Sequence, residues 1–327
     1  MSEITTRNHY IPQTYLKNFL YDDTLFVYKK GEKFFKNQKD SEDDRIFGVM
    51  GLEGLKNIGI ENNLYSVEID GVKNDEMENI FNELGEADYS SIIESIDRLP
   101  IGSEIPTEIK DKICIFLSCM RIRTPRFKYE VEEMDSVVRK HFMSEDYERK
   151  TAKEIVTEYK EISGQEITEE EAEKVRNAIV DKKYGFQYPN GYFLKHALNI
   201  LERYTEIFMS MKMRIVRSDN KRHFITSDNP VVYFVPKEKV DFYNSYKNLM
   251  SQHVELFFPL SRNLAVMMNR REDMKEVVAP IKRDIVDMFN YNFSINSYNF
   301  IFAPVKMNDL NKFVKEYIPY PFEFRMS

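Results

Sequence analysis

The sequence predicts an α+β fold: a helical middle with a mixed, largely antiparallel sheet built from the N-terminal and C-terminal strands. Three observations lead there. Short apolar runs with strand character lie at 25–28 and 64–69, and again from 213 onward. Between 74 and 211 the apolar residues recur at helical spacing instead. Strands and helices therefore come in blocks, which argues against the βαβ alternation of a doubly wound parallel sheet.

In chain order, Pro12 limits an extended entry and leads into a short helix over 13–19. Residues 25–28 and 33–35 read as a hairpin about Lys30-Gly31-Glu32. Residues 38–62 are polar and glycine-bearing, a loop with short helical turns. The alternation at 64–69 predicts a strand closing on the Asp70-Gly71 turn. Met77, Ile80, Phe81, Leu84, Ile92, Ile93 and Ile96 mark one face of a helical stretch over 74–99. Thr107 after Pro106 suits the N-cap of the next helix, which carries Ile109, Ile113, Phe116, Leu117 and Met120, and Pro125 ends or kinks it. The charged stretch 130–183 is helix-prone, with a capping box at 168–171, and 190–211 is another amphipathic helix. Strands are expected at 213–216, 224–226, 231–235, 254–258, 264–268 and 300–303, with helices at 280–292 and 308–317. The whole of 1–327 reads as a single domain with 130–183 as a charged helical insertion or arm.

Composition narrows the class. Of 327 residues, 42% are apolar and 13% aromatic, ample for a substantial core; the aromatics are 24 Phe and 20 Tyr without Trp. The net charge of −7 is uneven, because 16 acidic and 10 basic residues fall between Glu130 and Lys183 and leave the remainder near neutral. A basic patch at Lys29, Lys30, Lys33, Lys36 and Lys39 fits an exposed hairpin that blunts its own edge better than a polyanion site. Cys114 and Cys119 share one apolar helical run and form neither a disulfide framework nor a zinc spacing, so a reducing compartment is expected. With no membrane-length apolar run and no signal-peptide core, the expectation is a cytoplasmic protein that does not engage a membrane.

Three segments concentrate polar residues of the kind that form sites. In Asn8-His9-Tyr10-Ile11-Pro12-Gln13, the proline fixes the backbone that presents His9, and Gln13, Tyr15, Lys17 and Asn18 add donors on the helix that follows. A histidine there serves as acid, base or ligand, or simply pairs with a carboxylate in a buried entry segment. In Thr226-Ser227-Asp228-Asn229-Pro230, Asp228 stands at a strand end as proton acceptor or metal ligand. The same residues also make a self-sufficient hairpin corner, since Ser, Asp and Asn each close turns on their own backbone. In Arg121-Ile122-Arg123-Thr124-Pro125-Arg126, arginines at a helix C-terminus offer forked donors to phosphate or carboxylate, and the helix dipole favours them there regardless. Glu86 beside Gly85 is a further carboxylate near a close backbone approach. The chain has no phosphate-binding loop, dinucleotide fingerprint, His-Glu-x-x-His motif, nucleophile elbow or compact nucleic-acid module.

These segments together resemble the DUF4238 family, a widespread, mainly bacterial group of unknown function. The resemblance covers Asn8 to Gln13 with Tyr15-Leu16-Lys17-Asn18-Phe19, then Leu64-Tyr65-Ser66, Glu86 at the family's acidic position and the arginine-proline run. It continues through the stretch from Phe224 to Val232 and Phe258-Pro259-Leu260-Ser261, with Asn292 or Asn296 as a final asparagine. It implies family residues and no reaction.

Two functions are consistent with these residues. One is a hydrolase acting on a phosphorylated or nucleic-acid substrate. In it His9 is acid or base, Glu86 and Asp228 hold a divalent cation, and Gln13, Lys17, Arg121, Arg123, Ser227 and Asn229 contact substrate. The alternative is a non-catalytic module that binds a small molecule or nucleic acid, or a sensor in bacterial defence or a mobile element. There the same residues fix turns or hold the ligand, and 130–183 mediates a homo-oligomer.

Overall fold

The computed structural model describes residues 7–31, 45–65, 67–69, 72–74, 76–189, 191–241 and 247–315. The expected strand at 33–35, Lys33, Lys36, Lys39, Ser66, the 70–71 turn and the last helix beyond 315 lie outside the described residues.

The fold is α+β, with helices in the middle and strands from both ends of the chain forming mostly antiparallel sheets. The larger sheet has five strands in the order Val278–Pro280, Lys212–Arg217, Leu264–Asn269, Glu255–Pro259 and Val232–Phe234. Its pairs are antiparallel apart from Val278–Pro280, which runs parallel to Lys212–Arg217. A second sheet orders Ile46–Met50, Thr24–Lys29, Phe300–Ala303 and Thr226–Ser227, so N-terminal and C-terminal strands share it.

Period-two side chains place both faces of the larger sheet in cores. Leu264, Val266 and Met268 join Met213, Ile215, Leu256 and Phe258 in the core shared with the helices, including Phe116 and Leu117 of Thr107–Ile122. Ala265 and Met267 face the other way, with Val216 and Phe257, and meet Val286, Phe289 and Phe293 of the Arg283–Asn296 helix. The helix Thr107–Ile122 also packs along Tyr192–Met209.

The charged stretch forms three helices, Pro125–Arg149, Ala152–Ser163 and Glu169–Val180. The expected capping box at Thr168 and Glu171 is present, and Thr151 with Glu154 makes a second. Among the described residues no helix is long and apolar enough to cross a membrane.

Several local expectations are corrected. Residues 38–62 include a strand, Ile46–Met50, a short helix, Gly51–Leu55, and the strand Ile60–Asn62. Gly48 interrupts the strand's sequence pattern, while pairing along Thr24–Lys29 holds it in place. Gly51 turns the chain at φ +56, and a Cβ there would come within 3.2 Å of the Asp23 carboxylate. Thr107 is the first helical residue, with Pro106 in the cap position and no side-chain cap. Pro125 opens a helix, where its missing N–H costs nothing, and Thr124 caps it by accepting from the Phe127 N–H at 3.2 Å. The stretch 74–99 is Glu76–Phe81, a π-helical turn at Asn82–Glu86 and Tyr89–Arg98; the wider turn shifts the phase and leaves Leu84 exposed.

Candidate functional site

The N-terminal motif and the Thr226 segment meet through Tyr15. Its ring is fully buried, and its hydroxyl lies 2.6 Å from Thr226 Oγ1 and donates to the Pro259 carbonyl at 2.8 Å. Tyr89 stacks on Phe116 with centroids 4.1 Å apart and donates to the Leu260 carbonyl. The Arg262 amide in turn donates to the Asn18 carbonyl at 3.0 Å. The short first helix is thereby bolted to the end of the larger sheet.

A polar seam runs from this helix to the end of Thr107–Ile122. Arg123, 1% exposed, donates to Glu86 Oε1 at 2.8 Å and to the His9 carbonyl at 2.6 Å, and its own carbonyl accepts from Tyr65 Oη at 2.6 Å. Asn8, also buried, donates to Glu78 Oε2 at 2.7 Å and accepts from the Tyr65 amide at 3.3 Å. The His9 ring nitrogen Nε2 lies 3.2 Å from Gln13 Nε2. Burial pushes the imidazole below its ordinary value, against a bond to the Lys56 backbone and the charge of Glu86, so His9 is neutral at pH 7. The π-helical turn brings Glu86 to this seam, with Gly85 against Cys119. His9, Gln13, Glu86 and Arg123 thus form one connected group.

Lys17, Ser227 and Asp228 have other partners. Lys17 donates to Ser90 Oγ at 2.8 Å. Ser227 Oγ closes a turn by accepting from the Asn229 amide at 3.3 Å. Asp228, 1% exposed, accepts from the amides of Tyr298 at 2.7 Å, Asn299 at 2.5 Å and Phe300 at 3.0 Å. Burial lifts its carboxyl to about 6, while those amides and the Lys30 ammonium pull it down. The geometry is that of a carboxylate tying a strand to the segment before it. Among the described residues no group of three or more His, Cys, Asp and Glu could hold a metal ion.

Arg121 faces elsewhere. A cavity of about 420 Å³ opens at the edge strand Val232–Phe234, between the helices Pro125–Arg149 and Tyr192–Met209, and its lining includes Arg121, Glu130, Arg203, Tyr204, Asn229, Tyr233 and Lys247. Apolar wall comes from Phe127, Val131, Ile200 and Val231. Arg121 is 6% exposed, and its guanidinium pairs with Glu130 through Nη2. It also lies over the rings of Phe127, Tyr204 and Tyr233, at 5.5, 6.0 and 5.8 Å from their centroids. Its Nε and Nη1 are buried without a hydrogen-bond partner. Arg126 Nε holds the other Glu130 oxygen at 2.9 Å, and the two guanidiniums keep Glu130 ionised despite burial. Asn229 reaches the cavity wall and donates to the Asn296 carbonyl at 2.9 Å.

The Protein of unknown function (DUF4238) family matches residues 7–306. The chain belongs to this family. No match is found among curated proteins or among solved structures. In this DUF4238 chain the arginine-proline run serves two places, with Arg123 in the seam and Arg121 in the cavity.

Sequence reasoning missed Glu130, His196, Arg203, Tyr204, Tyr233 and Lys247. A partial signal exists for one wall, since His196, Asn199, Ile200, Arg203 and Tyr204 repeat at three- and four-residue spacing and put polar groups on one helical stripe. Lys247 and Tyr233 carry no such signal, because only tertiary packing brings them to the same wall.

Proposed function

We propose that this DUF4238 protein binds a small anionic ligand in the 420 Å³ cavity, with Arg121 as the anion contact and Tyr204 and Tyr233 beside the ligand's apolar body. One observation carries the reading. Arg121 is a buried guanidinium with two nitrogens, Nε and Nη1, left without partners, on the wall of a cavity sized for a small molecule. Leaving buried donors unpaired costs about 1–3 kcal/mol each, a deficit that a phosphate or carboxylate oxygen relieves by accepting a charge-assisted hydrogen bond. Arg203 adds a second guanidinium to the lining, and Asn229 lends a polar wall.

Calorimetric titration with phenyl phosphate, a flat ring bearing a dianion, tests this against phenol as the uncharged control. Phenyl phosphate binds and phenol does not. Arg121→Lys, which keeps the charge and loses the planar array that holds Glu130 and the anion at once, weakens binding by roughly tenfold or more. Absence of phenyl phosphate binding to folded protein at millimolar concentration contradicts the reading.

The second reading is hydrolysis of a phosphorylated or nucleic-acid substrate, and the His9 seam favours it. A half-buried neutral imidazole beside Glu86 and Arg123 has the residue types of an acid–base group with an anion contact. Under this reading His9 moves the proton, Gln13 orients the ring and Arg123 faces phosphate. Turnover of a phosphodiester such as bis(p-nitrophenyl) phosphate, lost in His9→Gln with its melting temperature retained, supports it. Equal rates in the two proteins contradict it. The single-domain reading, with 130–183 as an arm, is supported by the sheet that joins Thr24–Lys29 to Phe300–Ala303 across the length of the chain.

A further inference from the structure

We infer that the ligand is an amphiphile, with a single carboxylate or phosphate head held at Arg121 and an unbranched alkyl chain of about eight to ten carbons lying along the groove between Pro125–Arg149 and Tyr192–Met209. This rests on the anion-binding reading above and deepens it by naming the body that the anion carries.

Two helices wall the cavity lengthwise. Phe127, Val131 and Met134 recur at three- and four-residue spacing on one, and His196, Ile200 and Tyr204 at four-residue spacing on the other. The helices run antiparallel here. Arg121 lies 5.5 and 6.0 Å from the ring centroids of Phe127 and Tyr204 at one end. Toward the other end Asp135, next to Met134, accepts from Tyr192 Oη at 2.7 Å, one turn before His196. At a rise of about 1.5 Å per residue, Phe127 to Met134 covers about 10 Å and Tyr204 to His196 about 12 Å. An extended chain advances about 1.2 Å per bond, so roughly eight to ten carbons fill that length.

Charge is confined to the Arg121 end. Glu130 pairs with Arg121, and Arg203 adjoins Tyr204 on the same helix. Lys247 Nζ lies 5.6 Å from the centroid of the Tyr233 ring that Arg121 also faces. Beyond them the side chains of Val131, 7% exposed, and Ile200 have no hydrogen bond to offer, and Met134, 44% exposed, stands where the groove opens. A nucleotide or sugar phosphate would set its own polar groups against that middle without partners. An alkyl chain instead removes the apolar wall from water. Burying a methylene fully strengthens binding roughly fourfold, and burying one side of it about twofold.

Titration calorimetry with the n-alkanoates from acetate to tetradecanoate and with the matching alkyl phosphates, each below its critical micelle concentration, reads affinity against chain length. In the wild type each methylene tightens binding about two- to fourfold up to roughly eight to ten carbons, and longer chains gain nothing further because they pass Met134 into water. A rise and plateau in either series supports the inference, and the tighter series names the head. Octanol, without the anion, binds at least about tenfold more weakly than octanoate or octyl phosphate. Ile200→Trp, checked by its melting curve, blocks the groove one turn from Tyr204 and brings the plateau down to roughly five carbons. Affinity that is flat or falls with chain length while phenyl phosphate still binds overturns this inference and leaves anion binding intact. So does a rise without a plateau, a plateau unmoved by Ile200→Trp, or octanol binding as tightly as both anions. No binding of phenyl phosphate or of any anion in either series overturns both readings. The wild-type series decides even if Ile200→Trp does not fold.

Discussion

Asp228, buried, and Lys247, partly buried, are two ionisable groups with opposite consequences for stability. Asp228 accepts three backbone amides in a dry surrounding, so Asp228→Ala strands those donors and costs about 3 kcal/mol or more, seen as a lower denaturation midpoint. Its carboxyl sits at about 6 in the fold, above the ordinary 3.8. A raised value means its contribution is fully present below the unfolded value and is lost as pH rises through about 6. Lys247 is depressed to about 7 from 10.5, so its contribution is present above 10.5 and is lost as pH falls through about 7. Wild-type protein therefore loses stability relative to Lys247→Met between about pH 9 and pH 7, and the difference levels off below that; chemical denaturation across this range checks it. A flat difference contradicts the assignment. Of these two residues only Asp228 was legible in the sequence, and as a turn residue as much as a site. A lone lysine in Asn-Ser-Tyr-Lys-Asn looks like any exposed lysine, and only the chain packed around it draws it into the cavity wall.

At the scale of elements, the junction between Thr107–Ile122 and Pro125–Arg149 positions both the seam and the cavity. Arg121 and Arg123 lie two residues apart and face different partners, Glu130 and Glu86, while Thr124 caps the next helix between them. Thr124→Ala costs about 1 kcal/mol of stability, and it weakens phenyl phosphate binding as well because it loosens the turn that sets Arg121 against Glu130. A purely local capping loss that leaves affinity unchanged contradicts that coupling. Arg123→Met leaves Glu86 half-buried without its cation and costs about 3 kcal/mol or more in a denaturation series. The capping box at Thr168 was readable because it is written in four consecutive residues. The strand Ile46–Met50 was not, since its stability comes from pairing with Thr24–Lys29 and its own Gly48 argues against it. The phase shift of the π-helical turn was hidden for a similar reason: Gly85 packs close to Cys119, a contact no local pattern records.

Across the whole molecule, the family's motifs do two kinds of work. Tyr15, Thr226 and Pro259 join the entry helix to the sheet, and this assembly carries the fold. Arg121 and Asn229 reach the cavity, where the aromatic wall from Tyr204 and Tyr233 completes a site that sequence alone left unassembled. The α+β class was legible because the blocks of strand and helix patterning are long. The single pocket expected from His9, Glu86, Arg121, Arg123 and Asp228 resolves into a seam, a cavity and a tied strand end. That division arises because the arginine run diverges at the end of a helix and Asp228 turns toward backbone amides. The most direct test is a crystal structure of the protein with phenyl phosphate. A phosphate oxygen at about 2.9 Å from Arg121 Nη1, with the ring beside Tyr204 and Tyr233, is the expected result. A ligand bound elsewhere, with Nη1 satisfied by the protein itself, contradicts it.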